Sequence, residues 1–510
     1  MKKVIRFLVV FILMLQVGCV RFTEYEPVRD RTQRYEEPRS QIQARGGKLD
    51  WGICLSGGGI RSSAFSLGAL KSLYDRGYLE QLDVVSVVSG GGYAWYWVLA
   101  NNDEQRVFGE SVFSDEAWPR RNAELQVNAK FAPYGTAASQ FFLPVGAGAG
   151  FYERRIVQFG HSGYRPEQSR YVTDVPCEAM GETIDSYAGR IRSKKIPYFI
   201  VNATMSTPRD GAGKLIEITP THIGNSTFGY TLWATNRQEP VMRTAQAFAI
   251  SGAALTRRLA QKVPDYLHHK GTEMTLYDGG GGSDRGENLG AYALVRQGIP
   301  NIIIIDAEAD PKYNFKAYTN LQALLEKDWI SFRVDDIDRH LANEFRGAFG
   351  ASSMSRGLAR GTNAGGRPFK SDIYYIKMCM PENLFLVNTN KQKYAVERAD
   401  DISVARVDNI IRPRGRLSAD CLGELDELAR RGLKLDDGYY RSVVRDYASY
   451  LNFRPGWRTR LVNAVPGDFF NYSFPHMTTA DQSYYNDQIE ALIGLGFLQA
   501  SAMPRVGKLP

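Results

Sequence analysis

Three glycine-rich turns of the sequence carry the chemical groups that an acyl transfer requires. Ser89 is followed by three glycines, and Asp278 is followed by four. The third turn, Gly57 to Gly59, offers backbone N–H groups that no side chain obstructs. A hydroxyl nucleophile, a carboxylate base and N–H donors for a developing oxyanion are the parts of a serine-dependent acyl transfer. The spacing therefore predicts a site assembled from distant segments.

Each turn follows a run of residues that is typical of a buried strand. Residues 49–56 (LDWGICLS), 82–89 (LDVVSVVS) and 273–278 (EMTLYD) are mostly apolar or β-branched, and glycines follow each of them. Helical spacing of apolar residues follows the first two turns. Alternation of strand, glycine turn and helix predicts a parallel sheet that helices cover. Because ligands bind at the carboxyl edge of such sheets, we expect all three turns to meet there.

The base that acts on Ser89 is predicted to be Asp278. No histidine occupies a comparable turn at the end of a strand, which favours a Ser–Asp pair over a triad. An aspartate with its ordinary pKa of about 4 is a weak base. A dry, apolar site would raise that pKa, because burial disfavours the charged form.

Three segments, in this order, resemble the signatures of the patatin-like phospholipases: SGGGIRSSAFSLGAL, VVSGGGYAW and YDGGGG. The resemblance also touches FIVNATM, FAISGAAL and ENLGAYALVRQGIPNIIIID, so it covers roughly residues 49–310. That family, whose core is related to cytosolic phospholipase A2, cleaves acyl esters of lipids with a Ser–Asp dyad. Its fold is a three-layer α/β/α sandwich with a mostly parallel sheet, and the resemblance implies that α/β fold here.

The resemblance also implies a role for each site residue. In chain order these are Gly57 for the shape of the oxyanion turn, Gly58 and Gly59 for its N–H groups, Arg61 for a substrate phosphate or for the stability of the site, Ser89 as the nucleophile, and Asp278 as its partner.

Two positions depart from the family's signatures. Ser62 stands where the glycine-rich segment normally ends in glycine, and Val87 stands where the serine turn normally has its first glycine. Ser62 lies where a helix cap is tolerated. Val87 would crowd the turn, and Gly90 to Gly92 are expected to relieve that crowding. Reduced or altered activity stays open.

The N-terminus resembles a bacterial lipoprotein signal. A basic MKKVIR precedes the apolar FLVVFILML, which is too short to span a bilayer, and QVGC follows. We expect a signal peptide over residues 1–18, lipidation at Cys19 and a polar tether over residues 19–48. Gln16 departs from the usual pattern, so an ordinary secretory signal or an uncleaved anchor stays open. The predicted location is the bacterial cell envelope, with the exported protein anchored in the membrane.

Composition limits the classes of partner and cofactor. The chain has 510 residues, 44% of them hydrophobic, with a net charge of +8 that is spread too thinly to indicate nucleic acid. Neither a Cys-x-x-Cys nor a His-Glu-x-x-His pattern is present, so no metal and no cofactor are expected. The predicted partner is membrane phospholipid or another acyl lipid.

The predicted organisation has one catalytic domain and an extension. The catalytic domain spans residues 49–310, and its residues 103–195 form an insertion that acts as a cap or a lid. Residues 311–510 form a less regular C-terminal extension that packs on the core. The predicted function is hydrolysis of carboxylic esters of phospholipids or lysophospholipids. A catalytically silent lipoprotein that binds lipid or partners, and an acyltransferase or thioesterase on the same core, stay open.

Overall fold

The computed structural model describes residues 49–128, 149–165, 170–172, 176–205, 214–225, 228–234, 239–253, 261–267, 273–280, 286–310, 313–342, 354–363, 365–379, 476 and 486–506. The predicted signal peptide, Cys19 and the tether lie outside the described residues, as does much of the predicted C-terminal extension.

The strands of the described ranges are β1 (Trp51–Leu55), β2 (Leu82–Val87), β3 (Gly163–Arg165), β4 (Arg170–Val172), β5 (Tyr198–Met205), β6 (Lys214–Ile218), β7 (His222–Asn225), β8 (Gly229–Leu232), β9 (Gln261–Pro264), β10 (Glu273–Asp278), β11 (Asn301–Asp306), β12 (Ser331–Val334), β13 (Ser355–Thr362) and β14 (Pro368–Lys377).

The α-helices of the same ranges are α1 (Gly59–Asp75), α2 (Gly90–Asn101), α3 (Glu110–Phe113), α4 (Trp118–Asn128), α5 (Ala149–His161), α6 (Cys177–Gly181), α7 (Tyr187–Arg192), α8 (Thr244–Ser251), α9 (Ala291–Gln297), α10 (Lys316–Glu326), α11 (Asp335–Leu341) and α12 (Asn486–Ala500). Within these ranges, no helix combines the length and the apolar character that a membrane span requires.

Five parallel strands form the centre of one large sheet. Their order is β14-β11-β1-β2-β5. Antiparallel strands extend the sheet on both sides, with β13 and β12 beyond β14 and with β6, β7 and β8 beyond β5. The four isoleucines of β11 are fully buried, as a central parallel strand requires. The predicted α/β fold with a mostly parallel central sheet is confirmed.

Helices cover both faces of this centre. A Cβ atom at Gly91 of α2 would lie 2.7 Å from Leu55 Cβ, whereas one at Gly52 would lie 2.8 Å from Leu294 Cδ1 of α9. Positions 52 and 55 of a strand point to opposite faces. Helices α2 and α9 therefore lie on opposite sides of β1, which gives the predicted three layers.

Helix α12 packs directly on α1, the helix that follows the first glycine turn. A Cβ atom at Gly68 would lie 1.8 Å from the carbonyl oxygen of Ile493, and one at Gly496 would lie 2.0 Å from that of Phe65. The two backbones touch at this crossing because each helix presents a glycine to the other. A segment far along the chain thus covers the helix behind the first glycine turn.

Parts of the predicted insertion, residues 103–195, are also described. They include helix α5, where a Cβ atom at Gly160 would lie 2.6 Å from the ring of Tyr96 in α2. Close packing on α2 brings α5 near the turn at Ser89. Its action as a cap or lid stays a prediction, as do the proposed domain boundaries.

Candidate active site

Two strands approach each other end to end along one edge of β5. Strand β2 is parallel to β5 and pairs Val87 with Val201, whereas β10 is antiparallel and pairs Asp278 with Ala203. Strand β6 occupies the other edge of β5 over the same stretch, so β2 and β10 share one edge. The chain leaving β2 at Ser89 therefore meets the chain leaving β10 at Asp278.

The expectation that all three glycine turns follow strands of the parallel sheet is wrong for Asp278. Strand β10 enters from the opposite direction and pairs antiparallel with both β5 and β9. The aspartate still reaches the carboxyl end of β2, because two strands that run towards each other along one neighbour bring their ends together.

Ser89 adopts the strained backbone of a sharp strand-to-helix turn. Its φ of 47° and ψ of −116° are rare for a residue other than glycine. Such strain costs about 1–3 kcal/mol and persists only where the surroundings hold it. The nucleophile turn of α/β-hydrolases likewise places a strained serine between a strand and a helix.

The glycines after Ser89 make this turn possible. A Cβ atom at Gly90 would lie 2.0 Å from the carbonyl oxygen of Gly59, and one at Gly91 would lie 2.3 Å from that of Leu55. Val87 is fully buried, and its Cγ2 would lie 3.6 Å from a Cβ atom at Gly92, an ordinary contact. The valine that departs from the signature is therefore accommodated in the core, at an ordinary distance from position 92 of the turn.

Two residues that the sequence analysis did not single out hold the backbone of this turn. The Ser89 N–H donates to Ser251 Oγ at 2.9 Å, and that hydroxyl donates to the carbonyl oxygen of Asn202 at 2.6 Å. The Asn202 amide donates to the carbonyl oxygen of Val87 at 2.9 Å. Both residues are polar positions inside the apolar segments FIVNATM and FAISGAAL, which was the only signal of their role.

Asp278 is buried and has one oxygen available. The side chain is 4% exposed, and its Oδ1 accepts the Gly280 N–H at 2.7 Å. Its Oδ2 has no hydrogen-bond partner in the described part of the chain. Burial raises the pKa of Asp278 to about 7, although the nearby Ser89 hydroxyl and the Gly280 N–H both lower it. The elevated pKa makes this carboxylate a better proton acceptor near neutral pH.

The first glycine turn lies beside Ser89, and its three glycines differ in what they can donate. A Cβ atom at Gly57 would lie 3.4 Å from Ser89 Cβ, and the Gly57 N–H already donates to the carbonyl oxygen of Asn288 at 2.8 Å. Gly58 and Gly59 have φ values of 143° and 60°. Among the described residues their N–H groups have no acceptor, as is expected at the first turn of a helix. Within the described part of the chain, the two N–H groups are therefore available to a substrate oxygen.

Arg61 is buried behind this turn. The side chain is 2% exposed, and its Nε donates to the carbonyl oxygen of Ala307 at 3.1 Å. A Cβ atom at Gly58 would lie 2.7 Å from Arg61 Nη2, so the guanidinium packs against the glycine backbone. This placement fits the predicted role of stabilising the site, and phosphate binding stays a prediction.

Asn288, which the sequence analysis did not single out, lies between two of the turns. Its Oδ1 would be 2.1 Å from a Cβ atom at Gly57 and 2.4 Å from one at Gly280. The same residue accepts the Gly57 N–H through its carbonyl oxygen. Asn288 thus lies between the turn beside Ser89 and the turn of Asp278, and a side chain at Gly57 or Gly280 would displace its amide.

No group of three or more histidine, cysteine, aspartate or glutamate side chains is arranged to hold a metal ion within the described ranges. The site consists of a hydroxyl, a carboxylate and backbone N–H groups. These are parts of acid–base and nucleophilic chemistry.

No protein-family model matches the sequence, and no curated protein matches it. Among solved structures, the chain is similar to human GIVD cytosolic phospholipase A2, with 12% sequence identity and a TM-score of 0.45. The match covers 94% of this chain and 64% of that chain. The same human protein with methyl gamma-linolenyl fluorophosphonate inhibitor and terbium chloride gives a TM-score of 0.46 at 12% identity, covering 95% of this chain and 64% of that one.

VipD from Legionella pneumophila is also similar, with 10% identity and a TM-score of 0.24, and the match covers 98% of both chains. This chain spans 64% of the length of the human phospholipase chains that it matches.

Proposed function

We propose that this protein is a serine-dependent lipid acyl hydrolase with Ser89 as the nucleophile and Asp278 as its base. One observation carries the proposal. A serine with a φ of 47° lies beside a buried aspartate whose pKa is raised to about 7 and whose Oδ2 has no partner among the described residues. Backbone strain at a nucleophile and an elevated pKa at its base are both typical of active sites.

The reaction proceeds in two halves. Asp278 accepts the proton of Ser89 while Oγ bonds to the carbonyl carbon of the ester, and the oxyanion accepts the free N–H groups of Gly58 and Gly59. The bond to the leaving alcohol then breaks, and the proton on Asp278 passes to that alcohol. Water repeats the sequence on the acyl-enzyme and releases a carboxylic acid. Each oxyanion donor is worth about 3 kcal/mol of barrier in enzymes of this type.

The proposed substrates are phospholipid or lysophospholipid esters. The support for a lipid substrate is the resemblance of three glycine-rich segments to the patatin-like phospholipase signatures. Product analysis with a panel of phospholipids would identify which ester bond is cleaved. Repeating it with and without acceptor alcohols would show whether water or an alcohol receives the acyl group. Transfer to the alcohols would identify an acyltransferase on the same site.

An alkyl fluorophosphonate that traps active serines tests the proposal directly. The wild-type chain should be labelled and should hydrolyse a lipid ester, and Ser89→Ala should lose both properties. The matched control is Ser66→Ala, because Ser66 is a buried serine of α1 whose hydroxyl has no partner in the described structure. An unlabelled wild-type chain would favour the catalytically silent lipid-binding protein, whereas equal labelling of Ser89→Ala would contradict Ser89 as the nucleophile.

We also propose that lipidated Cys19 anchors the enzyme in the bacterial cell envelope. The support is the basic and apolar leader that ends in QVGC. Metabolic labelling with a radioactive fatty acid during expression in bacteria tests the anchor. Wild type should incorporate the label and stay in the membrane fraction after a high-salt wash. Cys19→Ser should lose both, and incorporation that survives this change would contradict the proposal.

A further inference from the structure

Two buried tyrosines, which the proposed reaction does not use, form a pair beside Ser89. Tyr93 is on α2, one turn after Ser89, and Tyr152 is on α5. Their hydroxyl groups form a hydrogen bond with each other, and Tyr152 donates to the carbonyl oxygen of Gly252 at 2.8 Å. The Tyr93 N–H donates to the carbonyl oxygen of Ser89 at 3.2 Å, and the Ser89 hydroxyl is near enough to lower the pKa of the Tyr93 phenol.

The pair lies on the Asp278 side of the nucleophile. Gly252 follows Ser251, which binds the Ser89 N–H through its hydroxyl and the Gly279 N–H through its carbonyl oxygen. A Cβ atom at Gly252 would lie 2.1 Å from the Tyr93 hydroxyl oxygen and 2.6 Å from that of Tyr152, so a side chain there would displace the pair. The free N–H groups that suit the oxyanion belong instead to the turn at Gly58 and Gly59. A hydroxyl donor on the Asp278 side would face the alcohol oxygen of the ester, which is the oxygen that leaves.

Both phenols keep their protons. Burial raises the pKa of Tyr93, and the nearby Asp278 adds to the increase, although Tyr152 and Ser89 oppose it. Burial likewise raises the pKa of Tyr152 well above its ordinary value. The two neutral hydroxyls therefore have two protons to donate and three oxygen acceptors, namely the two phenol oxygens and the carbonyl oxygen of Gly252.

The Tyr93 hydroxyl can also donate weakly to the carbonyl oxygen of Gly252, at 3.5 Å, and two further hydrogen-bond orders differ in the direction of the bond between the tyrosines. In one, Tyr93 donates to Tyr152, which donates to the carbonyl oxygen of Gly252. In the other, Tyr152 donates to Tyr93, and the Tyr93 proton points towards Ser89. The second order gives up one neutral hydrogen bond, worth about 1 kcal/mol. A bond to a charged oxygen is roughly twice as strong, so a developing alkoxide would select the second order.

We propose that Tyr93 is a further catalytic residue that donates a hydrogen bond to the leaving oxygen of the ester, with Tyr152 as the residue that positions it. The inference rests on the proposed hydrolase activity of Ser89 and Asp278. As the carbon–oxygen bond breaks, its electron pair moves to the leaving oxygen, which accepts the Tyr93 hydroxyl. The proton that Asp278 took from Ser89 then passes to that oxygen, the alcohol leaves neutral, and Asp278 is again a carboxylate.

Two esters with one acyl chain and different leaving groups test the inference in the full-length chain. Loss of 4-nitrophenolate from 4-nitrophenyl decanoate needs no proton, whereas loss of glycerol from 1-decanoylglycerol does. Tyr93→Phe should lower kcat/KM for the glycerol ester about 100-fold and for the nitrophenyl ester less than about threefold. Tyr152→Phe should change the ratio of the two kcat/KM values in the same direction by a smaller factor, about tenfold. This second variant keeps the test available if Tyr93→Phe folds poorly.

The matched control is Tyr96→Phe, which removes a buried hydroxyl from the same helix. The Tyr96 hydroxyl has no partner in the described structure, and the ring packs against Phe248 and His161. Tyr96→Phe should leave the ratio of the two kcat/KM values unchanged. An unchanged ratio in both Tyr93→Phe and Tyr152→Phe would overturn this inference alone. Hydrolysis that is absent from wild type, or that survives Ser89→Ala, would overturn the proposed function and the inference with it.

Discussion

At the residue scale, the activity of the site depends on the charge of Asp278. The carboxyl group must be ionised to accept the Ser89 proton, and burial raises its pKa to about 7. We expect kcat/KM for 4-nitrophenyl decanoate to rise with pH to a plateau above neutrality, with a midpoint near pH 7. Below the midpoint it should fall about tenfold per pH unit. Rates measured from pH 5 to pH 9, after subtraction of the Ser89→Ala background, check this.

The control for this profile is Glu287→Gln. Glu287 is also buried, and burial raises its pKa to about 7, but its carboxylate accepts backbone N–H groups at the start of α9. The variant should keep the midpoint of the wild type. A rate that stays on its plateau down to pH 5 would contradict the raised pKa of Asp278, and a midpoint that moves with Glu287→Gln would make Glu287 the titrating group.

The same burial makes Asp278 a cost to folding above neutral pH. Because its folded pKa is raised, the stability it contributes is complete below pH 4 and is lost as pH rises through 7. Asp278→Asn should therefore unfold at higher urea concentration than wild type at pH 8, with a gain of at most about 4 kcal/mol. The gain should shrink at pH 5. An equal gain in stability at pH 5 and pH 8 would contradict the raised pKa of Asp278.

At the element scale, the turn between β2 and α2 requires glycine at position 91. A Cβ atom there would lie 2.3 Å from the carbonyl oxygen of Leu55, and the fixed backbone of β1 leaves little room to move. Gly91→Ala should lower the free energy of unfolding by about 3 kcal/mol and abolish fluorophosphonate labelling of Ser89. Urea denaturation and labelling of the soluble fraction measure the two effects.

Gly189→Ala is the matched control. Gly189 lies in α7, and no atom approaches within 4 Å of a Cβ atom at that position. Alanine should stabilise this helix by up to about 1 kcal/mol and leave labelling unchanged. Equal stability and equal labelling of Gly91→Ala and Gly189→Ala would contradict the argument that the turn requires the close approach of α2 to β1.

At the scale of the whole molecule, a buried charge cluster joins distant parts of the chain behind the first glycine turn. Lys377 of β14 lies 2.9 Å from Asp306 of β11 and 3.8 Å from Asp310. The Asp310 N–H donates to His476 Nδ1 at 3.1 Å, and Arg61 binds the carbonyl oxygen of Ala307. These contacts connect the parallel centre of the sheet to both the oxyanion turn and the late part of the chain.

Removing the cation should therefore destabilise the whole fold. Lys377→Met leaves the Asp306 carboxylate buried without its cation, and breaking a buried pair in this way costs about 3–5 kcal/mol. Lys370→Met is the control on the same strand, because Lys370 and Asp372 form an ion pair whose side chains are both more than half exposed. That change should cost less than about 1 kcal/mol. Equal urea midpoints for the two variants would contradict the argument.

Much of this fold follows from local patterns in the sequence. The apolar run NIIIID predicts a fully buried strand, and β11 is one, at the parallel centre of the sheet. The glycines after Ser89 predict a sharp turn. The structure explains them, because a Cβ atom at Gly90 or Gly91 would collide with the backbone of Gly59 or Leu55. Such features depend on a few neighbouring residues, whose conformational preferences and apolar period are visible in the sequence.

The assembly of the site depends on contacts that no local pattern encodes. Ser251 lies 162 positions from Ser89 and holds its backbone N–H. The meeting of β2 and β10 follows from the antiparallel entry of β10, whose apolar run is equally compatible with either direction. The sequence by itself determined the chemical groups and the turns that carry them. Only the tertiary structure decided the direction of β10 and the partners of Ser89, because strand direction and side-chain pairing depend on packing between segments far apart in the chain.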